Sequence, residues 1–337
     1  MKAAVMRGAR DIVVVEVPYP RLEPEGVIIK VRACGICGSD LHMYRHGPPV
    51  PWRMGHEFSG DVVEVGASVS GVAVGDRLAA MCGEGCGHCY WCREGDWLKC
   101  TEMKLLGYGV DGAYAEYVSV PHLELGKYAA KLPDSLTYEA GATAEPLAVS
   151  LYAVDRSHPR PEDTVVVIGV GVIGLCIVKV LKARGFKNII VSGRRAGRLK
   201  LAKQSGARVV VDAAKEDIVP RVKKLTDSRG ADIVYECAGN AETFRQALSM
   251  VHRGGRVEVV GLYEEPITWD PTYIVSNDID IGGTGLAFNL PGAMELMKSG
   301  QVDTLPLVTH QFPLDKIKEA FETQLTADDA VKVMVKP

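Results

Sequence analysis

Four cysteines lying close together in the chain have the types and the spacing of a metal site. They are Cys86, Cys89, Cys92 and Cys100, in the pattern C-x2-C-x2-C-x7-C. Four thiolates on a short segment can close a tetrahedral zinc site, and such a metal is structural because no coordination position stays open. A ferredoxin-type iron–sulfur run has three residues before its last cysteine and a proline after it, whereas this run has seven and then Thr101. The spacing therefore predicts a structural zinc lobe, with His88 as an exposed loop residue.

A second set of candidate ligands and acid–base groups is spread over the segments CGICGSDLH, GHEFSG and AEPLAV. Its members are Cys37, Ser39, Asp40, His42, His56, Glu57 and Glu145. A catalytic zinc takes about three protein ligands and keeps one position open. Cys37, His56 and a carboxylate would make such a set. Periodicity alone cannot join residues so far apart in the chain, since each could equally be a core or a surface residue.

Three glycines, Gly169, Gly171 and Gly174, have the GxGxxG spacing and lie between a buried-strand pattern and an amphipathic-helix pattern. The first glycine would permit a tight turn, the second a close approach to a diphosphate, and the third close packing of helix on strand. The diphosphate would lie at the helix N-terminus, whose free N–H groups favour an anion. The context predicts a dinucleotide site, and a close-packed turn that binds no nucleotide is the alternative.

The end of the second strand of this region predicts which cofactor binds. An NAD-binding sheet has an acidic residue about 20 positions past the glycine loop, but Ser192 is followed here by Gly193, Arg194 and Arg195, with Arg198 beyond. Arginines can bind a 2′-phosphate through two hydrogen bonds. NADP(H) is therefore favoured over NAD(H), the alternative being that the arginines only begin a solvated helix. The full set assigned to the cofactor is Gly169, Gly171, Val172, Ile173, Gly174, Ser192, Arg194, Arg195, Arg198, Val260, Gly261 and Leu262.

The elements that must position these residues show two different sequence patterns. Residues 1 to about 150 contain short Val-rich runs separated by Gly, Pro and Asp, which predict an all-β, barrel-like domain. From Thr164 to about Gly285, apolar strand patterns alternate with helical patterns, which predicts βαβ units and a parallel sheet. The tail to Pro337 contains two helical patterns and a closing strand, VKVMVK.

Composition excludes several classes of protein. The chain has 337 residues, 39 Lys+Arg, 42 Asp+Glu and a net charge of −3, which is ordinary for a globular protein and argues against a nucleic-acid surface. The longest apolar run, Val165 to Val178, is too short for a bilayer, and no secretory leader is visible. We therefore expect a cytoplasmic protein without a membrane partner, in which Cys34, Cys82, Cys176 and Cys237 are packing thiols rather than disulfides.

Together the motifs resemble the zinc-dependent medium-chain alcohol dehydrogenases, most closely the polyol (sorbitol-type) branch. The matching pieces run in family order: CGICGSDLH, GHEFSG, GDRLA, the cysteine run, GAYAEYVSVP, AEPLAV and VIGVGVIG. The resemblance implies an α/β protein with a GroES-like β-barrel catalytic domain over 1–150, carrying the zinc lobe at 82–100 and completed by about 287–337. It implies a Rossmann NAD(P)-binding domain over 151–286 and assembly as a homodimer or homotetramer.

The same resemblance assigns roles to the dispersed residues. Cys37 and His56 resemble ligands of a catalytic zinc, Glu57 resembles the third ligand of the polyol branch, and Glu145 a residue that reaches the metal directly or through water. Asp40 resembles the carboxylate that orients a zinc-bound histidine. Ser39 and His42 resemble a proton relay, with a plain structural histidine as the other interpretation of His42. Two zinc ions per chain follow.

The substrate is left open among a polyol, a cyclitol and a diol. The segment GGTGLAF lacks the arginine of sorbitol-type enzymes, and Met43-Tyr44 replaces their Tyr-Trp, so an amino-cyclitol or a sugar acid is also possible. Arg45 and Arg53 could bind an anionic substrate or lie in solvent. A threonine-type amino-alcohol dehydrogenase with the same site is the alternative activity, and a non-catalytic protein that binds zinc and nucleotide is a remote one.

Overall fold

A computed structural model describes residues 1–48, 51–81, 83–285 and 289–337, and it divides the chain into two compact units. Unit 1 comprises Met1–Ala148 and Asn289–Pro337, and unit 2 comprises Val149–Phe288. Cys82 and the end of the GGTGLAF segment lie outside the described residues. No helix in the described ranges is both long and apolar enough to cross a bilayer.

Unit 1 contains most of the strands. They are β1 (Lys2–Gly8), β2 (Asp11–Glu16), β3 (Val27–Gly35), β4 (Glu57–Val65), β5 (Arg77–Ala80), β6 (Gly83–Glu84), β7 (Lys104–Leu106), β8 (Gly109–Val110), β9 (Tyr117–Val120), β10 (Ala129–Lys131), β17 (Val308–Pro313) and β18 (Lys332–Lys336). Its helices are α1 (Gly38–His46), α2 (Tyr90–Arg93), α3 (Tyr138–Ala142), α10 (Leu290–Lys298) and α11 (Ile317–Thr326), with α4 (Ala144–Ser157) crossing the unit boundary. Single 3-10 turns occupy Trp97–Lys99, Leu305–Leu307 and Leu314–Lys316.

A seven-stranded sheet organises unit 1 around β3. The order is β10-β5-β4-β3-β18-β17, and β9 also pairs with β3. The strand β3 is buried along almost its whole length. This explains its unbroken apolar run VII (27–29), since a strand covered on both faces needs no polar alternation. Antiparallel pairing sets Gly35 opposite Glu57 on β4 and opposite Met334 on β18. The end of β3 is therefore flanked by segments from the beginning and the end of the chain.

Unit 2 is a six-stranded parallel sheet with helices between the strands. Its elements are β11 (Thr164–Ile168), α5 (Val172–Ala183), β12 (Asn188–Gly193), α6 (Ala196–Ser205), β13 (Val209–Asp212), α7 (Ile218–Leu225), β14 (Ala231–Glu236), α8 (Ala241–Met250), β15 (Val251–Val259), α9 (Pro271–Asn277) and β16 (Asp280–Gly283). The order is β13-β12-β11-β14-β15-β16, so the strand order reverses beside β11. In open parallel sheets a ligand binds at the carboxyl ends of the strands next to such a reversal.

The predicted α/β class with a doubly wound parallel sheet is confirmed. The expectation of an all-β domain over residues 1–150 is wrong at α1, α2, α3 and the start of α4. Of these, α1 is a nine-residue helix that follows β3. Leu41 and Tyr44 are buried there at a spacing of three, which suits one helix face. The sequence did not indicate this helix, because the Ser, Asp and His residues of the metal-site motif interrupt the apolar pattern from which helices are predicted.

Candidate active site and cofactor pocket

The central feature of unit 1 is a group of three candidate metal ligands at the end of β3. Cys37 is the N-cap of α1, His56 directly precedes β4, and Glu57 is the first residue of β4. One ligand atom from each lies within 4.8 Å of the other two. Sulfur, nitrogen and a carboxylate oxygen together suit zinc. Residues far apart in the sequence are thus joined by the register of β3 against β4.

A buried lysine, which the sequence did not indicate, accompanies this group. Lys332 Nζ, on β18, lies 2.8 Å from Glu57 Oε1 and 2.5 Å from Oε2, and it donates to the Ile36 carbonyl oxygen at 2.8 Å. Both side chains of the ion pair are only 1% exposed. A Cβ atom at Gly35 would come within 2.3 Å of Glu57 Oε2, so the first glycine of CGICG makes room for the ion pair. Glu57 therefore has a cationic partner in the protein itself.

Asp40 connects His56 to the surrounding core. Its carboxylate is fully buried. Oδ2 accepts hydrogen bonds from the Cys37 N–H at 3.0 Å and the Tyr114 hydroxyl at 2.7 Å, while Oδ1 lies 3.8 Å from His56 Nδ1. Burial raises the pKa of Asp40, against the lowering effect of His56 and of these donors. The Nδ1 atom of His56 is buried and has no hydrogen-bond partner among the described residues. A buried ring nitrogen without a partner fits a histidine that belongs to a metal site.

Glu145 lies in the first turn of α4 and is partly buried. Burial, with Glu57 and Asp40 nearby, raises the pKa of its carboxyl to about 7, although His56 and Lys332 oppose the shift. Its oxygens are not within the 4.8 Å group of Cys37, His56 and Glu57. The structure therefore places Glu145 in the electrostatic surroundings of the group rather than inside it.

Ser39 and His42 lie three residues apart on α1, which sets them on one side of that helix. Ser39 is partly buried and His42 is exposed, with its ring centroid 4.6 Å from that of His46.

Arg53, which could have bound an anionic substrate, is instead paired with Asp111. Burial also lowers the pKa of Arg53.

The four-cysteine run folds into a cluster. One sulfur from each of Cys86, Cys89, Cys92 and Cys100 lies within 4.8 Å of the others. Backbone N–H groups point at the sulfurs, among them Cys86 N–H to Cys100 at 3.3 Å and Cys89 N–H to Cys86 at 3.3 Å. Desolvation and the neighbouring thiols raise the pKa of Cys92 to about 12, against the Gly87 N–H, which lowers it. Four thiols so crowded need a cation before they can ionise together, which fits a closed zinc site.

The glycine loop of unit 2 borders a cavity of about 700 Å3 at the carboxyl ends of the strands. Gly169 has φ +111°, which suits glycine, and a Cβ at Gly174 would lie 2.1 Å from the Gly169 carbonyl oxygen. A Cβ at Gly171, the N-cap of α5, would meet nothing within 4 Å. The protein therefore leaves open space directly before a helix N-terminus, which fits a diphosphate.

The walls of the cavity include half of the predicted cofactor residues. Gly169, Gly171, Ser192, Arg194, Arg195 and Arg198 line it, whereas Val172, Ile173, Gly174, Val260, Gly261 and Leu262 do not. Lys215, which follows β13, also lines it and was not predicted. Arg194 lies 3.7 Å from Glu242, but both side chains are about two-thirds exposed, so this pair is weak. The arginines therefore form a cationic wall at the end of β12, while Glu216, Asp217 and Glu242 also line the cavity.

Comparison with known proteins identifies the family. Residues 23–134 match the alcohol dehydrogenase GroES-like domain, and residues 172–299 match the zinc-binding dehydrogenase domain. The chain is 38% identical to a sorbitol dehydrogenase of Bacillus subtilis strain 168, over 100% of this chain and 97% of the relative. The chain belongs to the zinc-dependent medium-chain alcohol dehydrogenases. It falls in their polyol-dehydrogenase branch, and the predicted GroES-like and Rossmann fold is confirmed.

Two solved structures are similar over the whole dehydrogenase. A protein of Sinorhizobium meliloti 1021 described as a zinc-binding dehydrogenase and bound to NADP has a TM-score of 0.91 and 33% identity, covering 100% of this chain and 99% of its own. An alcohol dehydrogenase of Escherichia coli CFT073 complexed with NADH has a TM-score of 0.92 and 29% identity, with the same coverage. The chain is therefore an oxidoreductase acting on alcohols, with zinc and a nicotinamide cofactor. The two neighbours differ in cofactor, so likeness alone does not choose between NAD and NADP.

Proposed function

We propose that this dehydrogenase transfers hydride between NADP(H) and a secondary alcohol or its ketone, with a polyol, cyclitol or diol as the substrate. The observation that carries the proposal is the convergence of Cys37, His56 and Glu57 within 4.8 Å. We assign these three residues as ligands of a catalytic zinc and the four cysteines of the lobe as ligands of a structural zinc. When bound, the catalytic zinc supplies Lewis acidity that lowers the pKa of a substrate hydroxyl.

The remaining polar residues of unit 1 have complementary roles in this proposal. Glu145, with a pKa of about 7, can accept or return a proton near the metal at neutral pH. Ser39, partly buried, receives the proton of the substrate hydroxyl, and His42, exposed on the same side of α1, passes it to water. Since Arg53 is already paired with Asp111, an uncharged polyol, cyclitol or diol is favoured over a sugar acid.

The cationic wall of the cavity supports NADP(H). Arg194, Arg195 and Arg198 line the cavity at the end of β12, and Lys215 joins them from the end of β13. Guanidinium groups bind a phosphate with two parallel hydrogen bonds, while an ammonium group adds a point charge. NAD(H) lacks the 2′-phosphate that these side chains would bind. The free space at Gly171 receives the diphosphate, as the helix N-terminus favours it.

A substrate panel with each cofactor tests the proposed activity. Oxidation of polyols, cyclitols, diols and threonine is followed by NAD(P)H absorbance, and kcat/KM is compared for NADP⁺ and NAD⁺. We expect turnover of at least one secondary alcohol with NADP⁺ preferred. Preference for threonine would assign the amino-alcohol activity instead, and preference for NAD⁺ in the unaltered protein would contradict the cofactor assignment.

The variant Arg194→Ala isolates the phosphate contact. A hydrogen bond to a charged group contributes about 1.5–3 kcal/mol, so kcat/KM for NADP⁺ should fall about 10- to 100-fold while the value for NAD⁺ is unchanged. Lys200→Ala is the matched control, because Lys200 is exposed on α6, the helix that begins two residues after Arg194, but does not line the cavity. Equal losses in both variants would point to general charge rather than to a phosphate contact.

Metal analysis tests the two zinc assignments. The unaltered protein should contain two zinc ions per chain, Cys37→Ser should retain the structural ion, and Cys89→Ser should lose it. One zinc ion that survives Cys37→Ser and disappears in Cys89→Ser would refute the catalytic site.

We also propose that the enzyme is a homo-oligomer, a dimer or a tetramer. Among the described strands of the parallel sheet of unit 2, β16 is an edge strand. Val275, on the preceding helix α9, is 81% exposed. Unpaired edges and exposed apolar side chains favour association. Light scattering during size exclusion chromatography measures the mass, and a monomer would contradict this assignment.

A further inference from the structure

Tyr114 is a buried tyrosine whose hydroxyl points at the metal-site carboxylate. The side chain is fully buried, and its ring packs edge-on against Phe321 with the centroids 5.7 Å apart. The backbone is held on both sides, by its own N–H to the Met54 carbonyl at 3.0 Å and by the Ala4 N–H to its carbonyl at 2.7 Å. The hydroxyl oxygen therefore has a fixed position in the core of unit 1.

This hydroxyl lies 2.7 Å from Asp40 Oδ2 and 3.0 Å from the Gly35 carbonyl oxygen. A neutral tyrosine has a single hydroxyl proton, and the shorter distance and the negative charge assign it to the carboxylate. The Cys37 N–H donates to the same Oδ2 at 3.0 Å. The Cys37 N–H and the Tyr114 hydroxyl, from two separate segments of the chain, therefore both donate to Oδ2. Together they determine how the carboxylate is rotated.

The other oxygen of Asp40 is directed at His56. Oδ1 lies 3.8 Å from His56 Nδ1, with the Tyr108 hydroxyl at 3.5 Å from the same oxygen. In the described structure, His56 Nδ1 is buried without a hydrogen-bond partner. The carboxylate is an acceptor within reach of this nitrogen, because a small movement of the ring would bring the two atoms to hydrogen-bond distance.

We propose that Tyr114 is a positioning residue of the metal site, which acts on His56 through Asp40. By binding Oδ2, its hydroxyl keeps Oδ1 turned toward His56 Nδ1 and so keeps the other ring nitrogen directed at the metal. The inference rests on the proposed catalytic zinc site of Cys37, His56 and Glu57. Partners that orient a metal-binding histidine typically change metal affinity 10- to 100-fold when they are removed.

The test is the rate of metal release in Tyr114→Phe, followed with a chromogenic chelator. This variant deletes one oxygen and keeps the ring that packs on Phe321. We expect the ion of the Cys37, His56 and Glu57 site to leave at least about 10-fold faster than in the unaltered protein, while the ion of the four-cysteine site leaves at its usual rate. The absorption spectrum of the cobalt-loaded protein should also change, because the geometry of the histidine ligand changes.

Tyr44→Phe is the matched control. Tyr44 is equally buried and packs on the same Phe321 at 5.0 Å, but its hydroxyl donates to Glu322 at 2.8 Å rather than to Asp40. We expect it to leave both release rates unchanged. A second comparison places Tyr114→Phe in an Asp40→Asn background, where the additional acceleration should be small if Tyr114 acts through Asp40.

Three outcomes would overturn the inference. The first outcome is that the unaltered protein holds two metal ions and Cys37→Ser loses one, but Tyr114→Phe releases metal at the unaltered rate. This refutes the positioning role and leaves the proposed function intact. An equally large acceleration by Tyr114→Phe with and without Asp40→Asn refutes the route through Asp40. A single metal ion in the unaltered protein refutes the proposed site and the positioning role together.

Discussion

At the scale of single residues, the least expected contact is the buried ion pair between Lys332 and Glu57. Taking two charges out of water is expensive, and their attraction offsets the desolvation only when the geometry is good and further hydrogen bonds are made. Here the ammonium group contacts both carboxylate oxygens and the Ile36 carbonyl. The pair therefore holds the Glu57 carboxylate in place at the metal site.

Removing the cation should be costly when no metal is bound. In Lys332→Met we expect the free energy of unfolding, measured with urea in the presence of a chelator, to fall by about 3–5 kcal/mol, because a buried carboxylate loses its counter-charge. Added zinc should recover more stability in this variant than in the unaltered protein, since Glu57 can then pair with the metal.

Lys336→Met is the control for this prediction, because Lys336 is on the same strand and forms its ion pair with Glu139 while nearly half exposed. An exposed pair contributes at most about 1 kcal/mol. Equal losses in the two lysine variants would mean that the buried pair has no special role in stability.

At the scale of elements, neighbouring glycines at the junction of β11 and α5 have different structural roles. Gly174 lets the helix pack on the Gly169 carbonyl, whereas Gly171 borders the open cavity. The first glycine is required by packing inside the protein and the second by the approach of a ligand. Substitution by alanine should separate these two demands.

We expect Gly174→Ala to lower the free energy of unfolding by about 1–3 kcal/mol, because its methyl group has no room. Gly171→Ala should leave stability unchanged, since its φ of −76° suits alanine and the space is free. The same variant should weaken NADPH binding by about tenfold or more, equivalent to about 1.4 kcal/mol. Urea unfolding and the fluorescence of bound NADPH measure the two effects, and a destabilised Gly171→Ala protein with normal NADPH affinity would contradict the assignment.

At the scale of the whole molecule, the two kinds of site belong to different units. Every residue lining the cavity lies in unit 2. The group of Cys37, His56 and Glu57 and the group of four cysteines lie in unit 1. Metal removal should therefore abolish turnover while NADPH still binds within about threefold of its original affinity, a change under about 1 kcal/mol. Calorimetric titration before and after chelation measures this, and loss of NADPH binding along with the metal would show that the cavity depends on unit 1.

Features whose residues are close along the chain could be predicted from the sequence alone. The cysteine lobe and the glycine loop could be predicted because their spacing is set by local backbone geometry, and alternating strand and helix patterns predicted the parallel sheet of unit 2. The helix α1 was missed since its polar site residues interrupt the apolar pattern. For the dispersed ligands, the family resemblance supplied what spacing could not.

The partners of those ligands become visible only in the folded chain. In VKVMVK, Lys332 reads as the exposed end of a strand, because lysines are rarely buried, and nothing local relates it to Glu57 or Tyr114 to Asp40. The physical reason is strand register. The pairing of β18 and β4 with β3 brings together groups separated by 275 positions, and such a contact depends on how strands align rather than on any pattern within one of them.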